Sequence, residues 1–192
     1  MTDPYSVPGG HCLRNKLGIS DASKLKEVEA RIVSARDVEL ARESLPGEYN
    51  LAHLQSFHYA LFRDIYDWAG KTRTVNISKD KSPFCSWQYV EDETSAVLAK
   101  LENHGWLTGL RRDPFIALLA EFYGELNARH PFREGNGRTL RAFLRQLSAA
   151  AGWRLDWSAL NRADNIAASE HNLITASTRK LVEVLEPVVV RM

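Results

Sequence analysis

Chemically active side chains are concentrated in residues 130–141, and packing alone does not require such a combination. The stretch reads His-Pro-Phe-Arg-Glu-Gly-Asn-Gly-Arg-Thr-Leu-Arg and supplies an imidazole, a carboxylate, two glycines and three guanidinium groups. Backbone N–H groups and arginines can bind an anion, and an imidazole can move a proton. Residues 130–141 are therefore the first candidate for a functional site.

The two glycines and two of the arginines predict a phosphate-binding loop. Gly135 and Gly137 have no side chains that would hold an anion away from the backbone N–H groups. A helix is predicted to begin beside them, and helix N-termini attract phosphate groups. Arg138 and Arg141 lie three positions apart on one face of that helix, and guanidinium forks suit phosphate oxygens.

Glu134 and His130 add acid–base and metal chemistry to this predicted loop. A carboxylate among positive groups is expected to hold a cation, and Mg²⁺ needs only one or two protein carboxylates when phosphates complete its shell. The reference pKa of histidine is about 6.5, so a neutral imidazole can take a proton from an attacking hydroxyl. We predict Glu134 as a Mg²⁺ ligand and His130 as a general base.

Two helices are predicted to hold the loop between them. Apolar residues recur with helical spacing from Asp113 to Arg129. This helix should end at about His130, because Pro131 lacks an N–H and favours extended geometry in the residue before it. The next helix is predicted from about Arg138 to near residue 152, where a glycine can end it.

The rest of the chain is predicted to be mainly helical with one hairpin. A loose start through residue 10 precedes helices at about 21–43 and 51–68, and helices resume at about 88. Two more are expected at about 157–168 and 171–185. Between residues 71 and 89, Val75, Ile77 and Phe84 flank a polar turn at 78–83, which is typical of a hairpin. The predicted fold class is all-α, a compact helical bundle with one short β-hairpin.

Composition is that of a single globular domain spanning residues 1–192. A chain of this length with 44% hydrophobic residues can bury a sizeable core. A charged-then-apolar leader and long apolar runs are missing, so we expect a cytoplasmic protein with no membrane partner. A formal net charge of +1 does not indicate the excess of positive charge that is typical of proteins that bind nucleic acids directly. Cys12 and Cys85 lack metal-type spacing and are expected to be reduced thiols.

Residues 130–141 resemble the signature of the Fic family, His-Pro-Phe-x-(Asp or Glu)-Gly-Asn-Gly-Arg-x-x-Arg, and match each specified position. Residues 54–73 resemble the helix that leads into the flap of that family, and residues 15–19 the start of its short single-domain bacterial members. The resemblance covers roughly residues 10–185. It implies the Fic fold, with the flap at about residues 71–89.

The resemblance implies a protein adenylyltransferase, which transfers AMP from ATP to a hydroxyl side chain, expected to be a tyrosine, of a target protein. His130 would be the catalytic base, and Glu134 would hold Mg²⁺ at the α- and β-phosphates. Phe132 would anchor the loop in the core, whereas Arg133 is given no role. The nucleotide-binding residues implied are Gly135, Asn136, Gly137, Arg138 at the β-phosphate and Arg141 at the γ-phosphate.

The flap implied by the resemblance would hold the target as an added strand, in which backbone hydrogen bonds give the affinity. Residues 71–81 carry four basic side chains against Asp80, a local charge of +3, which favours an acidic target surface. A merely solvated turn is the alternative. The target-binding flap residues expected are Val75, Asn76, Ile77 and Ser78.

Family members are often restrained by a helix with (Ser or Thr)-x-x-x-Glu-(Gly or Asn), whose glutamate pairs with the second arginine of the signature. Only the segments 23–28 and 44–49 have the Ser-x-x-x-Glu spacing, and neither ends in Gly or Asn. The chain therefore resembles the class I toxins, which lack an in-chain inhibitory helix. A small antitoxin would supply that helix and contact Arg141, and the targets of such toxins include the type II topoisomerases, through the ATPase subunits of gyrase and topoisomerase IV.

Two other functions remain open from the sequence. The chain could be a nucleotide-binding interaction module without turnover, although it carries the complete set of catalytic residues. It could also transfer a different nucleotide, because the loop is expected to bind the phosphates and not the nucleobase. A kinase branch of the family has lysine in place of the second loop glycine, and Gly137 argues against that chemistry.

Overall fold

Seven α-helices dominate the computed structural model, which describes residues 3–79 and 82–192, and the predicted all-α fold class is confirmed. In chain order the helices are α1 (Ala22–Arg42), α2 (Leu51–Phe62), α3 (Val90–Asn103), α4 (Arg112–Arg129), α5 (Asn136–Ala150), α6 (Arg162–Thr175) and α7 (Arg179–Leu185). Two antiparallel strand pairs accompany them within the described ranges: β1 (Ser78–Lys79) with β2 (Ser82–Pro83), and β3 (Trp153–Leu155) with β4 (Val189–Arg191).

The core is built around α4 and α5, the two helices that flank residues 130–135. α4 buries Phe115, Leu119 and Phe122, as its apolar spacing predicts. α2 packs on α5 through Phe57 and Phe143, whose rings meet edge-on at 5.7 Å. Across the described residues, no helix combines the length and the apolar character needed to cross a bilayer.

The sequence prediction of α2 was wrong at its C-terminal end. The helix stops at Phe62 instead of continuing to Trp68, and residues 63–70 form successive tight turns. The carbonyl oxygens of Arg63 and Ile65 accept hydrogen bonds from Lys16, through its side chain and its backbone N–H respectively, both at 2.8 Å. The N-terminal segment therefore takes the place of the next helical turn, an interaction that local periodicity cannot show.

The two ends of the chain also differ from the prediction. The N-terminal start is not loose, since Ser6 pairs with Leu13 and the Tyr5 ring packs edge-on against Trp68 at 5.4 Å. The break between the last two long helices falls at Ala176, which is left-handed, and not near residue 170. The β3–β4 pair was not predicted, because three-residue strands are too short to show an alternating pattern.

The predicted hairpin is confirmed, and one buried arginine connects it to the end of α4. The tip residues 80 and 81 lie outside the described residues. Arg73 is 1% exposed and donates to carbonyl oxygens on both sides of the hairpin, those of Val75 and Cys85. The same guanidinium donates to the carbonyl oxygens of Arg129 at 3.2 Å and His130 at 2.8 Å. The side chain of Arg73 thus connects the flap (residues 71–89) with the end of α4 and the motif loop (residues 130–137), and its backbone N–H adds a hydrogen bond to the Pro131 carbonyl at 2.8 Å.

We expect Arg73→Met to lower the free energy of unfolding by roughly 3–5 kcal/mol, because four carbonyl oxygens would lose a charged donor. Urea unfolding measures this loss. Arg63→Met is the control, since Arg63 is exposed and its side chain makes no hydrogen bond within the described ranges. Equal, small losses in the two variants would show that Arg73 does not hold the two segments together.

Candidate active site

His130 ends α4 in a left-handed conformation, with φ 48° and ψ 61°. The predicted helix end is confirmed, but the extended geometry expected before Pro131 is wrong. A left-handed backbone costs a residue with a side chain about 1–2 kcal/mol. The conformation is held by the His130 N–H, which donates to Leu126, and by the His130 carbonyl, which accepts from Arg73.

The imidazole of His130 is arranged as a proton acceptor. Its Nδ1 lies 3.0 Å from the carbonyl oxygen of Asn127, which can only accept, so Nδ1 carries the proton; Nε2 is unprotonated and bonds to none of the described residues. The Phe84 ring from the flap stacks on the imidazole at 3.9 Å. Burial lowers the pKa of His130 to about 4, outweighing the Asn127 hydrogen bond and the charge of Glu134, which raise it. At neutral pH the imidazole is therefore uncharged, as a general base requires.

The motif loop is fixed by side chains that point back into the protein. The Asn136 side chain accepts from the N–H of Phe132 at 2.8 Å and donates to its carbonyl at 2.7 Å. Phe132 is buried, as expected for the loop anchor, and stacks on His58 at 4.0 Å. The Asn136 side chain is thus engaged with the loop itself, and its backbone N–H at the α5 N-terminus is available to bind a phosphate group.

His58 supports the motif loop from below and was not singled out from the sequence. Its Nδ1 accepts from the N–H of Gly70 at 2.8 Å, so Nε2 carries the proton and donates to the carbonyl of Glu134 at 3.1 Å. Burial lowers the pKa of His58 to about 3, so the ring is neutral. Its place among the apolar positions of α2 was a signal of burial, but not of the contact with the loop.

The two loop glycines meet different constraints. Gly135 has φ +82°, and a Cβ there would lie 2.2 Å from the Phe62 ring, so the protein itself requires glycine. A Cβ at Gly137 would meet only Arg141 Nη1, at an ordinary 3.5 Å. Packing does not explain the second glycine, whereas an anion approaching the α5 N-terminus does. The first turn of α5 contains no acidic residue that would repel such an anion.

The two arginines in the first two turns of α5, Arg138 and Arg141, have different surroundings. Arg138 lies 4.8 Å from the centre of the Phe62 ring, and its Nη2 is 3.2 Å from Glu134 Oε1. Arg141 makes no ion pair with the described residues and lines a cleft of about 210 Å³ between α1 and α5. The cleft is lined by Ala30, Val33, Ser34, Asp37, Arg138, Arg141 and Trp157.

Glu134 fits a cation that shares its ligands with a bound phosphate. Its side chain is 44% exposed, and Oε1 accepts from the Gly135 N–H at 2.9 Å. Oε2 receives no hydrogen bond from residues 3–79 or 82–192. The described residues contain no group of three or more His, Cys, Asp and Glu side chains placed to hold a metal. A single carboxylate matches Mg²⁺, which keeps water and phosphate ligands.

The flap residues expected to bind a target use some of their polar groups for contacts within the described residues. The Ile77 carbonyl accepts from the Phe84 N–H at 3.2 Å, and the Asn76 side chain accepts from the Trp87 N–H at 2.9 Å. From 74 to 79, exposed and half-buried residues alternate, with Val75 and Ile77 half-buried and Ser78 exposed. The alternation is that of an extended strand.

Two contacts of the site come from distant parts of the sequence. Arg133, which was given no role, donates to Asp3 Oδ2 from Nε at 3.0 Å and from Nη2 at 2.6 Å. Lys79 of the flap lies 2.6 Å from Glu170 of α6. The N-terminal segment and α6 therefore brace the motif loop and the flap from outside, and no local pattern predicts either pair.

We expect Phe84→Ala to raise the pKa of His130 from about 4 towards its ordinary value of about 6.5, because water would reach the imidazole face. An NMR titration, with the His130 signal assigned from a His130→Gln sample, measures the shift. Phe84→Leu keeps an apolar side chain over the ring and should leave the pKa low. An unchanged pKa in Phe84→Ala would mean that the flap does not exclude water from the base.

Comparison with protein-family models gives a match to the Fic/DOC family over residues 48–148, more than half of the chain. Among curated proteins, the chain is 42% identical over 167 residues to the protein adenylyltransferase VbhT of Bartonella schoenbuchensis, covering 87% of this chain and 35% of VbhT. It is 38% identical over 162 residues to the probable protein adenylyltransferase Fic of Escherichia coli, covering 83% of this chain and 79% of that protein. The chain thus spans about a third of VbhT and most of the Escherichia coli protein.

Solved structures show the same fold. The BepC protein of Bartonella tribocorum with bound AMPPNP superposes with a TM-score of 0.93 at 26% identity, over 98% of this chain and 97% of that one. The N-terminal Fic domain of a Bartonella quintana protein with bound ADP gives a TM-score of 0.91 at 28% identity, over 98% and 95% of the two chains. The chain belongs to the Fic/DOC family.

Proposed function

We propose that the chain transfers AMP from ATP to a hydroxyl side chain of a target protein, with pyrophosphate as the other product. The observation that carries this proposal is a neutral imidazole whose Nε2 is bonded to none of the described residues, a few residues before a helix N-terminus that lacks a side-chain cap and carries two arginines in its first two turns. The names of the relatives, protein adenylyltransferases, and the bound AMPPNP and ADP of similar structures support it.

In the proposed reaction, His130 Nε2 takes the proton of the target hydroxyl as its oxygen forms a bond to the α-phosphorus. The bond from the α-phosphorus to the oxygen of the β-phosphate breaks, and pyrophosphate leaves with that electron pair. The loop N–H groups of residues 135–137 and Arg138 would bind the α- and β-phosphates, and Arg141 the γ-phosphate. These fixed positive groups stabilise the charge that develops on the leaving group.

Glu134 is the residue that would hold Mg²⁺, and the ion would neutralise part of the phosphate charge. Without it, the contact of the Glu134 carboxylate with Arg138 at 3.2 Å is the only compensation for its charge from a basic side chain within the described residues. The carboxylate also receives the N–H of Gly135, which fixes one oxygen and leaves the other for the ion.

The flap is proposed to present the target residue, a tyrosine, to His130. The half-buried Ile77 and Phe84 come from the two sides of the hairpin, and Phe84 touches the base itself. A target segment added along residues 75–78 would place its hydroxyl by register, through backbone contacts. The apolar Phe84 face suits an aromatic ring beside the imidazole.

Transfer of a different nucleotide remains the second candidate for the chemistry. The groups available at the α5 N-terminus would bind phosphates, and they would bind the phosphates of any nucleoside triphosphate equally. A binding module without turnover is disfavoured because the tautomer and the neutral state of His130 allow proton abstraction and contribute nothing to phosphate binding.

We expect His130→Ala to lower AMP transfer by at least about 10²–10⁴-fold, because the general base is lost. Binding of ATP should stay within a few fold, since the phosphate contacts come from residues 134–141. Incubation of a bacterial lysate with radiolabelled ATP, Mg²⁺ and either protein measures transfer, and calorimetric titration of the two purified proteins with ATP measures binding. Transfer by His130→Ala within threefold of the parent would remove His130 from the mechanism, and no labelled protein with the parent would favour the binding module.

A small antitoxin protein is proposed as the partner that restrains the enzyme. The cleft between α1 and α5 could receive a side chain from a docked helix, and Arg141 at its wall has no carboxylate partner among the described residues. A glutamate in a Ser/Thr-x-x-x-Glu-Gly/Asn sequence would pair with Arg141 and exclude the γ-phosphate. The cellular targets proposed are the ATPase subunits of gyrase and topoisomerase IV, which would make the unrestrained chain a toxin.

We expect bacteria that express the chain to stop growing, and bacteria that express His130→Ala to grow normally. Co-expression of a short reading frame adjacent to the gene should restore growth, and a glutamate-to-glycine change in its inhibitory sequence should abolish the rescue. Growth curves measure each outcome. Normal growth of cells that contain active chain would contradict the toxin proposal and leave the enzymatic proposal intact.

A further inference from the structure

Glu29 is a buried carboxylate on α1 that contacts the phosphate-binding arginine Arg138. It is only 6% exposed, and its Oε1 lies 2.6 Å from Arg138 Nη2. The second oxygen accepts a hydrogen bond from the hydroxyl of Tyr66, which is also buried. Burying a carboxylate is costly unless it is paired and hydrogen-bonded. Both oxygens of Glu29 therefore have partners, and one of these partners belongs to the proposed active site.

The surroundings of Arg138 show which part of its guanidinium remains available. Nη2 carries two protons, and two carboxylate oxygens lie near it, Glu29 Oε1 at 2.6 Å and Glu134 Oε1 at 3.2 Å. The Phe62 ring packs against the guanidinium at 4.8 Å. Nε and Nη1 donate to none of the described residues. The protein thus holds one edge of the guanidinium and leaves the other donors for a ligand.

We propose that Glu29 is a positioning residue for the transfer reaction, and that it acts by holding Arg138 against the leaving phosphates. This inference rests on the proposed function. Glu134 also contacts Nη2, but it is the residue that would hold the cation. Glu29 has no competing ligand, so its contact with Arg138 can persist when nucleotide binds. Tyr66 in turn holds Glu29, because its hydroxyl bonds the second carboxylate oxygen.

Two other roles for Glu29 fit the observations less well. A purely structural role is disfavoured, because a buried ion pair contributes little to stability and an apolar side chain could fill the same volume. An inhibitory role would require the carboxylate to occupy the γ-phosphate position at Arg141. Glu29 instead contacts Arg138, is followed by Ala30 and has Leu25 four residues before it, so it does not fit the inhibitory sequence.

Burial of Tyr66, together with its hydrogen bond to the Glu29 carboxylate, raises the pKa of the phenol well above its ordinary value. The hydroxyl therefore stays protonated and remains a donor to Glu29 throughout the physiological range. Rings of Phe62 and Trp68 flank Tyr66 at 6.2 and 4.2 Å, which fixes its position. The chain Tyr66–Glu29–Arg138 connects the turns after α2 with α1 and with the N-terminus of α5.

The test uses Glu29→Gln, which keeps the size of the side chain and removes its charge. We expect kcat for AMP transfer to fall about tenfold and the KM for ATP to change less than about threefold, because alignment of Arg138 matters most as charge develops on the leaving group. Tyr66→Phe should lower kcat in the same direction by a smaller factor, and it guards against misfolding of the Gln variant. Asp64→Asn, which breaks the α1 ion pair with Arg36 at 2.7 Å, is the control and should leave kcat unchanged.

A double variant separates positioning from a general loss of structure. Because Glu29 is proposed to act through Arg138 alone, adding Glu29→Gln to Arg138→Ala should not lower the residual rate further. The inference would be overturned if the rate losses of the two single variants multiplied in the double variant. It would also be overturned by an unchanged kcat in Glu29→Gln, or by a raised kcat, which would indicate that Glu29 inhibits the enzyme. Absence of transfer by the parent chain would instead contradict the proposed function itself, so the two failures are distinguishable.

Discussion

The buried guanidinium of Arg73 is the constraint on which the candidate site depends. It has no carboxylate partner among the described residues, and it remains charged although burial lowers its pKa. Four carbonyl oxygens compensate it, two from the flap and two from the end of α4. An unsatisfied buried charge would be very costly. The flap and the base are therefore fixed relative to each other, and Phe84 is held over the ring of His130.

The motif loop packs on neutral, apolar side chains on its core side and presents positive groups on its other side. His58, Phe62 and Phe132 form a stack with centroid distances of 4.0 and 4.7 Å to the His58 ring. The stack closes against Gly135, where no side chain would fit. The α5 N-terminus, Arg138 and Arg141 lie on the other side of the loop. Positive groups therefore converge on the side of the loop that is not filled by packed side chains. The affinity for phosphate and the exclusion of water from the His130 imidazole thus arise from the same loop conformation.

Local patterns in the sequence were sufficient to predict the elements whose limits are set by residues nearby in the chain. The helices on both sides of the motif loop and the hairpin were predicted because their periodicity and their proline and glycine positions are local signals. The end of α2, the β3–β4 pair and the ordered N-terminus were missed because partners distant in sequence decide them, as Lys16 does for Arg63. Glu29 and Phe84 were missed for the same reason: nothing near them in the sequence shows that they contact Arg138 and His130.

The most direct test of the account is to follow the α-phosphate of ATP. The purified chain is incubated with Mg²⁺ and a bacterial lysate, once with ATP labelled at the α-phosphorus and once with ATP labelled at the γ-phosphorus. Transfer of AMP predicts protein-bound label from the α position alone, with labelled pyrophosphate released from the γ-labelled sample. Protein-bound label from the γ position, or from neither position, would contradict the account.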